Sequence, residues 1–103
     1  MNSDIKDLLI KKAMKSPCKF KIGAIGFDKV GNIVGIMTNI PYIDVKGGGY
    51  HAEMRLMRNT PRSLRTVIIL RVNKRGKVKP IHPCPNCARE AQKRGVVIKS
   101  VME

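Results

Sequence analysis

TVIILRV (66–72), NKRGKVKPIHP (73–83), CPNCAREAQKR (84–94) and GVVIKSV (95–101) are the four consecutive stretches whose reading decides the fold. The first is an unbroken apolar run of strand length, the pattern of a strand covered on both faces. The second is basic and carries prolines, so it reads as a loop. In the third, a helix runs from Cys84 through Ala88 and Ala91 to Arg94, and Gly95 stands where a C-cap is needed. The fourth, VVIKSV at 96–101, is a closing strand. Strand, helix and strand in this order make one right-handed parallel crossover.

Upstream, Ser3 caps a first helix whose apolar stripe is Ile5, Leu8, Leu9 and Ala13. Ser16-Pro17 ends it, because the residue before a proline avoids the helical region. KFKIGAIGF and NIVGIM follow, joined by Asp28-Lys29-Val30-Gly31, as a β-hairpin. Residues 38–50, TNIPYIDVKGGGY, read as a loop, with Gly47–Gly49 either a flap or only a turn. A short helix then opens at His51, turns Ala52, Leu56 and Met57 toward the core, and stops before Pro61. The order α-β-β-α-β-α-β, with no repeat and no linker, gives one α/β domain over residues 1–103: three helices and a mixed sheet of about four strands.

The composition, 43% hydrophobic and 27% charged, is that of a globular chain and excludes a disordered one. No apolar run approaches the roughly 20 residues that span a bilayer, and charges interrupt the N-terminal stretch where a signal peptide would be apolar. The expectation is a cytoplasmic protein with no membrane partner. Twenty-one basic against seven acidic side chains leave a net charge of +14, which favours phosphate-bearing partners, nucleic acid among them. Phe20, Phe27, Tyr42 and Tyr50 are the only aromatics, few for a protein that stacks single-stranded bases. Three cysteines without a secretion signal do not suggest a disulfide framework; Cys18 reads as a small buried apolar residue.

His51-Ala52-Glu53 follows the glycine loop, and Pro83-Cys84-Pro85-Asn86-Cys87 opens the later helix. One imidazole and two thiolates form a three-ligand zinc site with a fourth position open, as catalysis requires. Cys84 and Cys87, three apart, share one face of a helical turn, and the helix N-terminus favours their thiolates and lowers their pKa. His51 and Glu53, two apart, point in nearly opposite directions on a regular helix. His51 therefore belongs at the irregular helix entry, with Glu53 entering the site from the first turn. Singly, each feature has an ordinary reading: a helix-start histidine, a first-turn acid, a redox C-x-x-C. His82 reads as a loop residue. Jointly, H-x-E and P-C-x-x-C make the signature of zinc deaminases.

On these motifs the chain resembles the cytidine and deoxycytidylate deaminase superfamily. Ala13–Cys18 and Ile22–Ile25 are similar to that family's opening helix and first strand, and Thr38-Asn39-Ile40-Pro41 to its Tyr-Asn-Gly-x-Pro. The resemblance covers roughly residues 5–100 and implies a three-layer α/β/α fold, here in a compact, C-terminally shortened form. It implies zinc held by His51, Cys84 and Cys87, with Glu53 as the catalytic proton shuttle. It also implies substrate contacts from Asn39 to sugar or phosphate, and from the Ala52 N–H and the Pro83 carbonyl to the base edge. Relatives commonly continue through a further helix and strand, so a second copy of the chain is expected to complete the pocket. The activity implied is hydrolysis of cytosine to uracil, first in a free nucleotide such as dCMP. The alternatives are cytosine or adenine within tRNA or single-stranded DNA, or a silent zinc-stabilised nucleic-acid-binding module. Glu53 tells against the last, since a structural zinc site has no use for a carboxylate there.

Overall fold

The computed structural model describes residues 3–18, 21–41 and 49–101. In chain order its elements are α1 (Ser3–Met14), β1 (Lys21–Asp28), β2 (Ile33–Thr38), β3 (Ile40–Pro41), β4 (Gly49–Tyr50), α2 (Ala52–Asn59), β5 (Leu64–Val72), β6 (Val78–Lys79), α3 (Pro85–Arg94) and β7 (Val97–Ser100). β1 and β2 form the expected hairpin, with Ile25 opposite Ile36. On its other side β1 pairs antiparallel with β5, Ile25 opposite Ile68. β7 then lies parallel to β5, Val67 beside Ile98, which makes the crossover through α3.

The apolar run of β5 serves both faces of the sheet. Val67 and Ile69 pack with Ala24, Ala52, Leu56, Met57, Cys87 and Ala91, the layer of α2 and α3. Leu70 and Val72 pack with Leu9, Ala13 and Ile25, the layer of α1. Alternation along β1 divides the same way, Ala24 to one face and Ile25 to the other, as a pleat of period two dictates. The result is the expected three layers, helix, sheet and helices.

Small residues set how closely α2 approaches. A Cβ on Gly26 would stand 2.5 Å from Leu64 Cδ1 and 3.1 Å from Leu56 Cδ2, so the strand has no room for a side chain under that helix. α3 ends as its sequence predicts. Gly95 is left-handed at φ 69°, and its N–H caps the carbonyls of Ala91 and Gln92.

Among the described residues the main sheet has five strands, the about four expected and a short edge strand beside them. β6, inside the stretch read as loop, pairs Val78 with Val72 and Lys79 with Arg71. A two-residue ladder, Ile40 opposite Tyr50, likewise crosses the segment read as loop at 38–50, and β2 itself runs to Thr38. Cys18 is half-buried rather than buried. Gly47 and Gly48 lie outside the described residues, so the reading of the triple glycine does too. Among the described residues no helix is long and apolar enough to cross a membrane.

Candidate active site

The entries of α2 and α3 converge. His51 is the N-cap of α2 in extended conformation (φ −66°, ψ 140°), off the helical path as its spacing to Glu53 requires. Cys84 is the extended N-cap of α3, with Pro85 at the first helical position, where its fixed φ suits the turn and its missing N–H costs nothing. The Cys84 sulfur accepts the Cys87 N–H at 3.3 Å. The ligand atoms of His51, Cys84 and Cys87 all lie within 4.8 Å of one another. The positive ends of two helix dipoles therefore point at one small volume.

The donor set suits zinc. Zn–S and Zn–N bonds at a tetrahedral angle place sulfur and nitrogen about 3.5 Å apart. His51 Nδ1 and Cys87 Sγ stand at 3.5 Å. Among the described residues no other group of three such side chains could hold a metal ion. His82 is exposed and outside the group.

Glu53 completes the cluster. Only 2% of it is exposed, and its Oε1 lies 3.5 Å from Cys87 Sγ and 3.7 Å from His51 Nδ1. Burial raises the pKa of this carboxyl, opposed by the charge of His51, its own backbone N–H and the Cys87 thiol. A carboxyl so placed can hold or release a proton beside the three ligands.

Cys87 corrects the expectation drawn from the helix N-terminus. Its thiol is pushed up rather than down, first by burial, then by the Cys84 sulfur and the Glu53 charge. Tertiary burial outweighs the dipole at this position. The metal-free thiol therefore keeps its proton and donates to Glu53. A cation must displace that proton to bind.

The residues expected to meet substrate take varied places. Asn39, 8% exposed at the end of β2, accepts the Ser16 hydroxyl at 2.6 Å and the Ile22 N–H at 3.0 Å on its Oδ1. Its carboxamide oxygen thus joins the end of α1 to the sheet. Ala52 opens α2, where the helix itself offers its N–H no partner, and Pro83 directly precedes Cys84. The Arg55 guanidinium donates to the Thr38 carbonyl and ties α2 to β2.

A cleft of about 500 Å³ opens from the ligands outward between α2 and α3. His51, Cys84 and Cys87 line it together with Met54, Arg58, Asn86, Arg89, Glu90 and Lys93. Sequence reasoning singled out none of these last six. The signal was available: Met54 and Arg58, and Arg89 and Lys93, recur at the four-residue spacing of one helix face.

No model of a known protein family and no characterised protein matches the chain by sequence. Solved structures do match it. The cytidine deaminase of Mycobacterium tuberculosis superposes with a TM-score of 0.65 at 16% identity, covering 96% of this chain and 85% of that one. The cytidine deaminase of Burkholderia pseudomallei gives 0.64 at 17%, over 92% and 77%. The dCMP deaminase of cyanophage S-TIM5 gives 0.56 at 18%, over 97% and 86%. The chain has the cytidine-deaminase fold.

Proposed function

We propose that the protein is a zinc-dependent hydrolytic deaminase that converts cytosine to uracil in a nucleotide, with a free nucleotide such as dCMP as the first substrate to test. One observation carries the reading: a buried carboxylate, Glu53, stands against three convergent ligands, His51, Cys84 and Cys87. A purely structural site would have no use for that carboxylate, whose burial costs stability. The fold shared with cytidine deaminases, and with a dCMP deaminase solved in complex with dCMP and dUMP, supports the choice of base and of phosphate-bearing substrate.

A zinc ion held by the three residues supplies Lewis-acid activation that makes water a nucleophile near neutral pH. The remaining chemistry falls to the chain. Glu53 accepts a proton from the attacking water and delivers it to ring N3 as oxygen bonds to C4. It then carries a proton to the 4-amino group, which leaves as ammonia when the C4–N bond breaks. Water and cytosine become uracil and ammonia, with no redox change. In this reading the Ala52 N–H and the Pro83 carbonyl, each adjacent in sequence to a ligand, hold the base edge. Asn39, whose carboxamide oxygen takes the Ser16 hydroxyl and the Ile22 N–H, is the residue that the family resemblance assigns to the sugar or phosphate of the substrate.

The test is ammonia release by zinc-loaded protein and by Glu53→Ala, on cytidine, dCMP, dCTP, single-stranded DNA and tRNA. Turnover abolished in the variant supports the reading. No turnover on any substrate, with zinc bound, overturns it and leaves a binding module on a deaminase fold. A polymeric substrate is the second reading, favoured by the cations that line the cleft.

A further inference from the structure

Arg58, Arg89 and Lys93 line the cleft that starts at the ligands. A second cleft, of about 490 Å³, adjoins it at Lys93 and is lined by Arg62, Arg65 and Arg94. Six cations thus line the two clefts, four on α2 and α3 and two, Arg62 and Arg65, just past the end of α2, and Glu90 is the one carboxylate among the described lining residues. Glu90 is already engaged by Arg94 Nε at 2.9 Å.

The ordinary explanation is that last-turn cations offset helix dipoles. It covers Arg58, Lys93 and Arg94, which occupy the last turns of α2 and α3. Arg94 also donates to the Met57 carbonyl at 2.6 Å, joining the two helices. Arg62, Arg65 and Arg89 lie outside those turns, all three exposed; Arg65 donates to the Arg62 and Leu64 carbonyls and Arg89 to Asn86 Oδ1, neutral partners that leave their charges uncompensated.

Reach decides between a small anion and a long one. The ten residues of α3 extend about 15 Å from Cys84 to the far cations. A stacked strand advances about 3.4 Å per nucleotide, so the seam between α2 and α3 matches about four nucleotides. The eight residues of α2 alone set Arg62 about 12 Å or more along the chain axis from His51, more than three steps of a stacked strand.

We infer that the α2–α3 seam is a track for a single-stranded polynucleotide, whose phosphodiesters meet Arg58, Arg89, Lys93, Arg62 and Arg65 while one base reaches the His51 end. The base chemistry rests on the function proposed above; the track itself does not. Among the described lining residues, Met54 stands in the first cleft and Met57, Pro61 and Leu64 in the second, and none of them is aromatic. Binding is therefore held by phosphate contacts, tolerant of sequence and steeply salt-dependent.

The test uses full-length, zinc-loaded Glu53→Gln protein, so that bound strand is not consumed. Fluorescence anisotropy follows labelled oligocytidylates, ribo and deoxyribo, from the dinucleotide upward. Affinity should climb with length to about four nucleotides, and log K should fall with log salt at a slope of about −3. Arg89→Glu/Lys93→Glu and Arg62→Glu/Arg65→Glu, each checked for bound zinc, should each flatten that slope by about 1.4 and weaken binding more than about tenfold. A dinucleotide that binds as well as the long strand overturns the track, as do unchanged slopes in both variants. Should a reversal fail to fold, the length series on the otherwise unsubstituted chain still decides. Length-independent binding with free-nucleotide turnover removes the track and keeps the deaminase. Length-dependent binding without turnover by the Glu53 protein keeps the track and removes the deaminase.

Discussion

The two faces of the sheet are covered alike and furnished differently. Under α1 the buried cluster is Leu9, Ala13, Ile25, Leu70, Val72, Val78 and Val101, all apolar. Under α2 and α3 it joins Leu56, Met57, Leu64, Val67, Ile69 and Val96 to Ala24, Ala52, Ala91 and the thiol of Cys87, with the Glu53 carboxyl buried beside it. The second face sets small residues, Ala52 and Cys87, at the two helix entries that meet, and it keeps a carboxyl out of water. The difference teaches which face holds the molecule together and which face the molecule must tolerate, because burying an acid costs free energy that its own partners offset only in part.

The sharpest way to break that contrast is Glu53→Gln. Loss of the proton shuttle should lower the deamination rate about 10²–10⁴-fold. Yet the metal-free fold should gain stability at neutral pH. The folded-state pKa of Glu53 is raised, so as pH climbs past its ordinary value of 4.5 the unfolded chain releases this proton first and the fold loses stability. Gln removes that loss. Chemical denaturation of the two metal-free proteins should therefore coincide in acid, below pH 4.5, and diverge in favour of the variant toward neutrality. A variant less stable at neutral pH would mean that the carboxyl supports the fold.

Leu70→Ala attacks the other face. Leu70 is 0% exposed, and its truncation should cost about 2–5 kcal/mol of unfolding free energy. The protein that remains folded should bind zinc with unchanged affinity, read by competition with a chromophoric chelator. A large loss of zinc affinity would show the two faces to be one cooperative unit.

The elements on which this contrast rests differ in how plainly the sequence announces them. β5, α3 and β7 were legible because each signal is local: an apolar run, a Cys84 cap followed by Pro85, a Gly95 stop. The convergence of His51, Cys84 and Cys87 was legible for the same reason, since two helix entries carry all three. β6 was not, because two residues of a basic loop become a strand only when the end of β5 stands beside them. The pairing of Ser16 with Asn39, 23 residues apart, leaves no periodic trace either. The direction of the Cys87 pKa was misread because a helix N-terminus shows in sequence and depth of burial does not.

Metal removal sharpens the contrast further. Zinc at about a hundredfold over its dissociation constant should add about 2.7 kcal/mol to the fold, seen as a fall in the unfolding temperature on chelation. Cys87→Ser should abolish that increment. In a Leu70→Ala background the increment should survive within about 0.5 kcal/mol, as for separate sites. Its disappearance there would again join the two faces.

The smallest effect discriminates most finely, because it uses one strand and two glycines. Gly23 and Gly26 lie on β1 with opposite faces toward the helices. A Cβ on Gly26 would press Leu64 and, at both Cδ2 and Cγ, Leu56, which belongs to α2. A Cβ on Gly23 would meet the Leu9 carbonyl oxygen of α1 at 3.0 Å, backbone that cannot turn. Both alanines should cost about 1–3 kcal/mol as overpacked positions. Their consequences for the metal should differ. Gly26→Ala tilts the helix that begins at His51 and carries Glu53, so zinc affinity should fall. Gly23→Ala moves a helix that carries no ligand, so zinc affinity should hold while stability falls. Calorimetric zinc titration of the two variants reads the difference directly. Equal losses would mean that the position of α2 is fixed by the ligands themselves rather than by the small residues beneath it.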